Sequence, residues 1–531
     1  MRTTRICFVT PPSAFLLDER VFPNLGILKV AAAAIARGHA VEHVDIDGVA
    51  NYEDAMRAHA AQTDAPWFAL TATTPQMPAA KRVIDAIRAA RPDARVILGG
   101  PHPTLSAAAV KLELRRHGRS ATGADVRKSC ASPDAAHLGR AHRAMVALLA
   151  LADVVVAGDG EDAIEEAVSQ TIDGGPRGFV DADDPKGPLF LTRKRLEEVP
   201  WPARHLIDLE SYHYKIEGVP ATTLIAQLGC PFNCSFCGGR ASPMLRRARM
   251  RSTESVIAEM EHLHVRYGYR GFMLYDDELN VNPKMVELMR AITALQRKHG
   301  VEFRLRGFVK SELVTREQLE AMQEAGFRWL LCGFEAGHPR ILENIQKKAT
   351  VEENTRAVEL AHAVGLKVKA LMSIGHAGET RETIAAVKRW LLDVRVDDFD
   401  CTIITPYPGS PYYDEAVQAT TLPNLHGKDD GERVWTYTSE ISGDRLHAFE
   451  LDYMKTADYY KGAPGGGYRS YVFTDELSPE ELVAERDALE RDVRAELGIP
   501  FNPGAPGIQF EASMGQTKLP SQIVRRHEEA A

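Results

Sequence analysis

The chain of 531 residues is short of the features that mark several protein classes. Nowhere do about 18 apolar residues run uninterrupted, so a membrane-spanning helix is not expected. The first residues, Met1 to Thr10, run straight into an apolar strand and contain no signal-peptide core. Basic side chains number 64 against 73 acidic ones, a net charge of −9 that argues against a nucleic-acid-binding surface. Seven cysteines are too few for a disulfide scaffold, and a reducing, cytoplasmic setting is the expectation. No G-x-G-x-x-G follows the first strand, which removes the usual dinucleotide fingerprint. What is present is ordinary globular material, 44% hydrophobic and 26% charged, enough for several cores.

Residues 1–173 alternate strand and helix patterns. Apolar runs at 5–10, 40–45, 67–73, 95–98 and 153–157 are separated by helical stretches such as 25–37 and 79–90. This predicts a doubly wound parallel sheet with helices on both faces. Its strands end in Gly/Pro-rich turns, Gly99-Gly100-Pro101-His102 and Gly158-Asp159-Gly160-Glu161. In such sheets ligands bind beyond the carboxyl ends of the strands. Residues 105–150 exceed a normal connection and read as a helical insert to which the sequence assigns no role. Residues 174–217 read as a linker.

A second alternating block, 218–415, offers strands at 222–228, 271–276, 302–306, 329–334, 367–374 and 399–404. Six strand–helix repeats predict a partial (β/α)6 barrel, open at one side, with chemistry at the strand C-termini. Residues 416–531 are expected to form a mainly helical extension. Ser478-Pro479-Glu480-Glu481 starts a helix there with an N-cap, a first-turn proline and a capping box. The Gly465-Gly466-Gly467 run reads as a loop, and Tyr468–Tyr471 and Ser513–Gln516 as parts of a cap over the barrel mouth.

Three of the seven cysteines stand together. Cys230, Cys234 and Cys237 have the spacing C-x3-C-x2-C directly after the first barrel strand. Thiolates suit iron–sulfur clusters or zinc. A structural zinc ion wants four ligands, and His205 or His213 could supply the fourth. A four-iron cube held by three cysteines instead leaves one iron open for a small molecule. Three buried cysteines without chemistry are the remaining reading.

The trio and its position resemble the radical S-adenosylmethionine superfamily, and the likeness covers about 218–415. Phe236, just before the last cysteine, fits the family pattern. So do Asp276-Asp277-Glu278, Gly333-Phe334-Glu335-Ala336-Gly337, Ile374-Gly375-His376-Ala377-Gly378-Glu379-Thr380 and Thr405-Pro406-Tyr407-Pro408-Gly409-Ser410-Pro411. Ala336 replaces the family's serine and Ala377 its proline. The resemblance implies that Cys230, Cys234 and Cys237 hold a 4Fe–4S cluster. It implies that Phe236, Asp276, Asp277, Glu335 and Gly375 contact S-adenosylmethionine. Arg306, His376 and Tyr407, expected at strand ends, are candidate catalytic or substrate contacts.

The loops Thr71–Gln76 and Gly99–Thr104 resemble those of cobalamin-dependent members of that superfamily. This implies a cobalamin site at Thr73, Thr74, Gly99, Gly100, Pro101 and His102, with His102 a loop hydrogen-bonder rather than a cobalt ligand. The D-x-H-x-x-G cobalamin signature is absent. The implied activity is C-methylation of an unactivated carbon of a small molecule through a 5′-deoxyadenosyl radical, with flavodoxin or ferredoxin as electron donor. A non-methylating reaction of the same cofactors, such as ring rearrangement, cyclisation or oxidation, is the alternative. A non-catalytic cobalamin sensor is a further one, against which the cysteine trio speaks. A methylthiotransferase acting on transfer RNA would need a second cysteine trio, and the N-terminal region has only Cys7 and Cys130.

Overall fold

The computed structural model describes residues 3–16, 18–132, 139–170, 178–419, 433–460, 468–500 and 519–527. The N-terminal strands are β1 (Arg5–Thr10), β2 (Ala40–Asp45), β3 (Trp67–Thr71), β4 (Arg95–Gly99), β5 (Val154–Gly158) and β6 (Gly178–Ala182). They pair in parallel in the order β2-β1-β3-β4-β5-β6. The order reverses between β1 and β3, and a crevice opens at such a switch point. Alternate residues of each strand feed two cores. Cys7, Val9, Phe68 and Leu70 face helices Tyr52–Gln62, Met77–Ala90 and Pro101–Arg116. Ile6, Phe8, Trp67 and Ala69 face helices Leu25–Ala36 and Gly160–Ser169. Burial on both faces explains why these strands read as continuous apolar runs rather than alternating ones.

Strand β6 lies inside the stretch expected to be a linker. It is short and begins at a glycine, so its pattern is faint, yet pairing with β5 along its whole length makes it the last strand of this sheet. The expected insert at 105–150 is helical, as Pro101–Arg116, Gly123–Cys130 and Arg140–Leu151.

The second sheet begins with β7 (Lys215–Ile216) and β8 (Val219–Leu224), an antiparallel hairpin. A small ribbon follows, β9 (Gln227–Leu228) with β10 (Arg249–Met250). The sheet then continues through β11 (Gly271–Leu274), β12 (Arg304–Phe308), β13 (Phe327–Glu335), β14 (Lys367–Ile374) and β15 (Asp398–Ile403). Strands β8 to β15 are parallel in sequence order, and β15 does not return to β8, so the barrel is open. The helices between them bury one continuous apolar core against the outside of the sheet.

The extension carries the expected helix, Pro479–Leu497, capped by Ser478 in a full capping box. It also carries a four-stranded antiparallel sheet that the sequence reading did not foresee. Its strands are β16 (Val417–Gln418), β17 (Val434–Thr438), β18 (Arg445–Phe449) and β19 (Val472–Phe473). A final strand, β20 (Val524–Arg526), returns to the N-terminal sheet and pairs antiparallel with β2. Helix Pro479–Leu497 covers the open edge of the barrel. Glu490 Oε1 accepts from the Cys401 amide of β15 at 2.8 Å, and Arg494 donates to Glu490 and Asp398. A bare edge strand is a template for unwanted pairing, and a helix that satisfies its amides removes it. The Gly465–Gly467 and Ser513–Gln516 segments lie outside the described residues.

Candidate functional site

The cysteine loop hangs between two short strands. After β8 the chain turns into β9, and β10 brings it back, so residues 229–248 form a loop clasped at its base. Gly229 makes the turn with φ +84°, and a Cβ there would lie 2.3 Å from the Arg247 carbonyl oxygen. Backbone ties then shape the loop. The Cys230 amide donates to Leu245 O at 2.9 Å, the Ser235 amide to Ile345 O at 2.9 Å, and the Cys237 amide to Cys234 O at 3.2 Å. Arg246 donates to the Phe232 and Pro231 carbonyls and Arg240 to that of Asn233. Cys230 and Cys234 are half-buried and Cys237 is exposed.

Burial pushes the Cys230 thiol up to about 12. Burial raises Cys234 too, while Lys347 and Lys310 pull it back. These two lysines, which no motif announced, set the electrostatics of the loop. Lys310 Nζ donates to Lys347 O at 2.9 Å, pairs with Glu312 and sits 4.3 Å over the Phe232 ring. Lys347 Nζ lies 3.2 Å from Glu335 Oε1. Burial works against the Lys347 cation, but Glu335, Cys234 and Glu278 outweigh it and hold the ammonium charged. Two ammonium groups beside three thiols are what an anionic thiolate cluster needs in a partly buried place.

The expected S-adenosylmethionine residues divide in two. Asp276 and Asp277 are turned toward the backbone. Asp276 Oδ1 accepts from the amides of Ala226 and Gln227, and Asp277 Oδ2 from that of Gly229 at 2.7 Å. They shape the turn that leads into the cysteine loop. Asp276 Oδ2 and Glu278 Oε2 are both buried without a hydrogen-bond partner among the described residues, and burial lifts both carboxyls to about 7. The run Asp276-Asp277-Glu278 was the available signal, and its first and third members each keep one oxygen open.

Phe236, Glu335 and His376 do come together. The Phe236 and His376 rings stand edge to face at 5.5 Å. Glu335, held at φ +68°, takes a hydrogen bond from Ser373 Oγ at 2.8 Å, and Ser373 Oγ lies 2.9 Å from His376 Nε2. His376 Nδ1 lies 3.2 Å from Tyr412 OH, so both ring nitrogens are engaged, and burial lowers the imidazole to about 3. His376 orients Ser373 and thereby Glu335. Gly375 makes a left-handed turn at φ +82°, where a Cβ would press on Ile403 and Val472. Arg306 is not at a strand end. It is buried inside the barrel, with Tyr214 OH 3.4 Å away.

The expected cobalamin residues border a cleft of about 680 Å³. Thr73, Thr74, Gly99, Gly100 and Pro101 line one wall, with Gly158, Asp159 and Gly160 beside them. Thr223, Leu228, Tyr275 and Tyr407 line the opposite wall, at the mouth of the half-barrel. His102 is not on the surface of the cleft. It is 1% exposed, its Nδ1 lies 3.1 Å from Thr74 Oγ1, and burial lowers it to about 4. It supports Thr74, in keeping with its reading as a loop hydrogen-bonder. Small residues are what bring the backbone up to the cleft. A Cβ on Gly158 would lie 2.4 Å from the Ala182 carbonyl carbon, and one on Gly160 2.6 Å from Val30 Cγ2. The loop Gly158–Glu161, quoted from the sequence but given no role, belongs to this wall.

Two buried contacts lock the walls together. Arg249 of β10 donates to Asp159 and, at 2.7 Å, to Leu191 O. Asp183 Oδ1 accepts from Ser242 Oγ and from the Met244 amide, each at 2.7 Å. Leu105 lines the cleft and also packs where a Cβ on Gly238 would meet it, so the helix after Gly100 touches the cysteine loop.

The sequence pattern of the Radical SAM superfamily matches residues 224–391, and that of the B12 binding domain matches residues 19–117. An uncharacterised methyltransferase of Pyrococcus horikoshii is 28% identical over 445 residues, spanning 80% of this chain and 86% of its own length. The anaerobic magnesium-protoporphyrin IX monomethyl ester cyclase of Rubrivivax gelatinosus is 25% identical over 451 residues, 83% of this chain and 74% of its own. Among solved structures, the radical S-adenosylmethionine methyltransferase TsrM of Kitasatospora setae, with cobalamin and a [4Fe-4S] cluster bound, has the same fold. It aligns with a TM-score of 0.59 at 16% identity, over 94% of this chain and 92% of that one.

Proposed function

The chain belongs to the cobalamin-dependent radical S-adenosylmethionine enzymes, and from that premise we propose that it methylates an unactivated carbon of a small molecule. The observation that carries the reading is the cleft. It places Thr73, Gly99, Gly100 and Pro101 opposite Leu228, Tyr275 and Tyr407, so that whatever the N-terminal sheet holds faces the barrel mouth. When bound, the iron–sulfur cluster, S-adenosylmethionine and cobalamin supply a carbon radical and a methyl group; the protein supplies placement.

Cys230, Cys234 and Cys237 hold the cluster, and Lys310 and Lys347 offset its negative charge. Glu335 and Glu278 present carboxylates to the ammonium of S-adenosylmethionine, since a carboxylate and an ammonium pair strongly where water is scarce. Ser373 and His376 keep Glu335 in place, and Phe236 packs beside them. Gly99, Gly100 and Thr73 offer the corrin ring a flat wall without protruding side chains. Tyr407, packed against Tyr453 and Tyr459, closes the far side and excludes stray hydrogen donors. The electron comes from a small reductant protein of the flavodoxin or ferredoxin kind.

The likeness to a cyclase favours a second reading, in which the same cofactors rearrange or oxidise the substrate without adding carbon. Anaerobic protein reconstituted with iron and sulfide, loaded with corrinoid and given S-adenosylmethionine, a strong reductant and candidate small-molecule substrates separates the two. Methylation yields 5′-deoxyadenosine and a product heavier by one methylene; cyclisation yields 5′-deoxyadenosine and no methylene gain. Colourless protein without 5′-deoxyadenosine refutes both.

A further inference from the structure

On β1, β2 and helix Tyr52–Gln62, a thiol, a carboxylate and an imidazole meet. Cys7 Sγ lies 3.7 Å from His59 Nε2, and His59 Nε2 lies 3.1 Å from Glu42 Oε1. The three ligand atoms fall within 4.8 Å of one another, and among the described residues no other group of such side chains is drawn so tightly. Cys7 is fully buried, and the side chains of Glu42 and His59 are 1% and 9% exposed. None of the three lines the cleft.

These separations match the edges of a metal tetrahedron. With zinc–sulfur, zinc–nitrogen and zinc–oxygen bonds of about 2.3, 2.05 and 2.1 Å, sulfur and nitrogen stand about 3.6 Å apart and nitrogen and oxygen about 3.4 Å. One thiolate, one imidazole and one carboxylate form a mixed set that suits zinc and repels the oxygen-seeking calcium and magnesium. The thiolate and carboxylate bring two negative charges to the ion, one of them shared with Arg526. The Thr63 hydroxyl donates to Glu42 Oε1 and helps to hold the carboxylate in place. The outer oxygen of Glu42 is fixed by Arg526 Nε at 3.2 Å, the kind of support by which ligating carboxylates are oriented.

We propose that Cys7, Glu42 and His59 form a second metal centre, separate from the cysteine loop, that takes a zinc-class divalent cation. Binding replaces the Cys7 S–H bond by a sulfur–metal bond and releases that proton to solvent. His59 keeps its proton on Nδ1 and gives the Nε2 lone pair to the ion. The centre fastens helix Tyr52–Gln62 to β1 and β2. Through Glu42, which faces Arg526 in the β2–β20 register, it also fastens the C-terminal strand to the N-terminal sheet.

The test uses full-length protein with its iron restored, equilibrated with Zn2+ and desalted, with zinc and iron counted per chain by elemental analysis. One zinc per chain is expected, and its loss in His59→Gln and in Cys7→Ser with the iron content unchanged. No zinc in the parent protein, or equal zinc in parent and variants, overturns the proposal. If Cys7→Ser does not fold, His59→Gln carries the comparison. The midpoint of thermal unfolding gives a second reading: added zinc raises it in the parent and leaves it unmoved in His59→Gln. Iron content reports on the cysteine loop separately, so loss of the cluster and loss of zinc are told apart.

Discussion

A methyl group placed on Gly100 would lie 2.4 Å from Thr71 Oγ1 and 2.8 Å from the Ala72 nitrogen, at a φ of +99°. Left-handed backbone alone costs a residue with a Cβ about 1 kcal/mol, and the clash adds to it. Gly100→Ala therefore displaces the loops of Thr73 and Pro101, and corrinoid affinity, read by equilibrium dialysis, falls by about tenfold or more while the protein still folds. The cysteines act at the same scale. Replacing Cys230, Cys234 or Cys237 singly by alanine abolishes both stoichiometric iron and 5′-deoxyadenosine formation, yet leaves corrinoid binding intact.

His102 gives a pH signature. Burial lowers it to about 4 from the 6.5 of an unfolded chain, so the folded protein binds fewer protons between those values. The stability it allows is complete above pH 6.5 and is lost as pH falls toward 4, with a slope approaching about 1.4 kcal/mol per pH unit. Urea unfolding of His102→Gln is expected to show that much less acid sensitivity over the same window. These residue-scale roles were only partly legible. The glycines and cysteines declare themselves because their chemistry is intrinsic. Whether His102, His376 or Asp276 meets a ligand or its own backbone depends on neighbours distant in the chain, such as the Ala226 amide 50 positions before Asp276.

At the scale of elements, helix Arg140–Leu151 explains what the helical insert does. Arg140 lies buried between two rings, 3.8 Å from that of Tyr413 and 4.4 Å from that of Trp435, and donates to Tyr413 O. Arg143 pairs with Glu450 at 2.8 Å. The insert thus clasps the extension from the N-terminal side. Removing the Arg140 guanidinium leaves two rings and two carbonyls without their partner. Arg140→Ala should lower the unfolding free energy by about 2–4 kcal/mol, measured by denaturant titration, and Arg140→Lys should recover only part of it. Strand β14 and helix Pro479–Leu497 sit where hydrophobic period and capping residues put them. The small sheet of β16 to β19 was not legible. Its strands are short, and distant sequence supplies the pairing that makes them strands.

At the scale of the molecule, the proposed methylation requires the two walls to stay in register so that one substrate carbon meets both cofactors. Arg249 and Asp159 hold that register across the cleft, almost wholly buried at 4% and 8% side-chain exposure. Replacing one partner alone strands a buried charge, so the informative variant is the double Arg249→Met, Asp159→Asn. It is expected to keep iron, corrinoid and fold. The yield of methylated product per 5′-deoxyadenosine should drop by about tenfold or more, because a displacement of about 1 Å between reacting groups is costly. A ratio equal to the parent's would mean that the pair holds the fold and not the alignment.

Sequence by itself determined the cysteine loop, the succession of parallel strands and the small residues at their ends. Each is written in a window of a few residues whose spacing or lack of a side chain is itself the physical property. Tertiary structure alone decided that β6 completes the first sheet, that one oxygen of Asp276 serves a turn while the other stays open beside Glu278, and that Cys7, Glu42 and His59 meet in one buried corner. Those outcomes rest on burial and on contacts between residues far apart along the chain, where the same side chain is a ligand or a brace according to what the fold brings beside it.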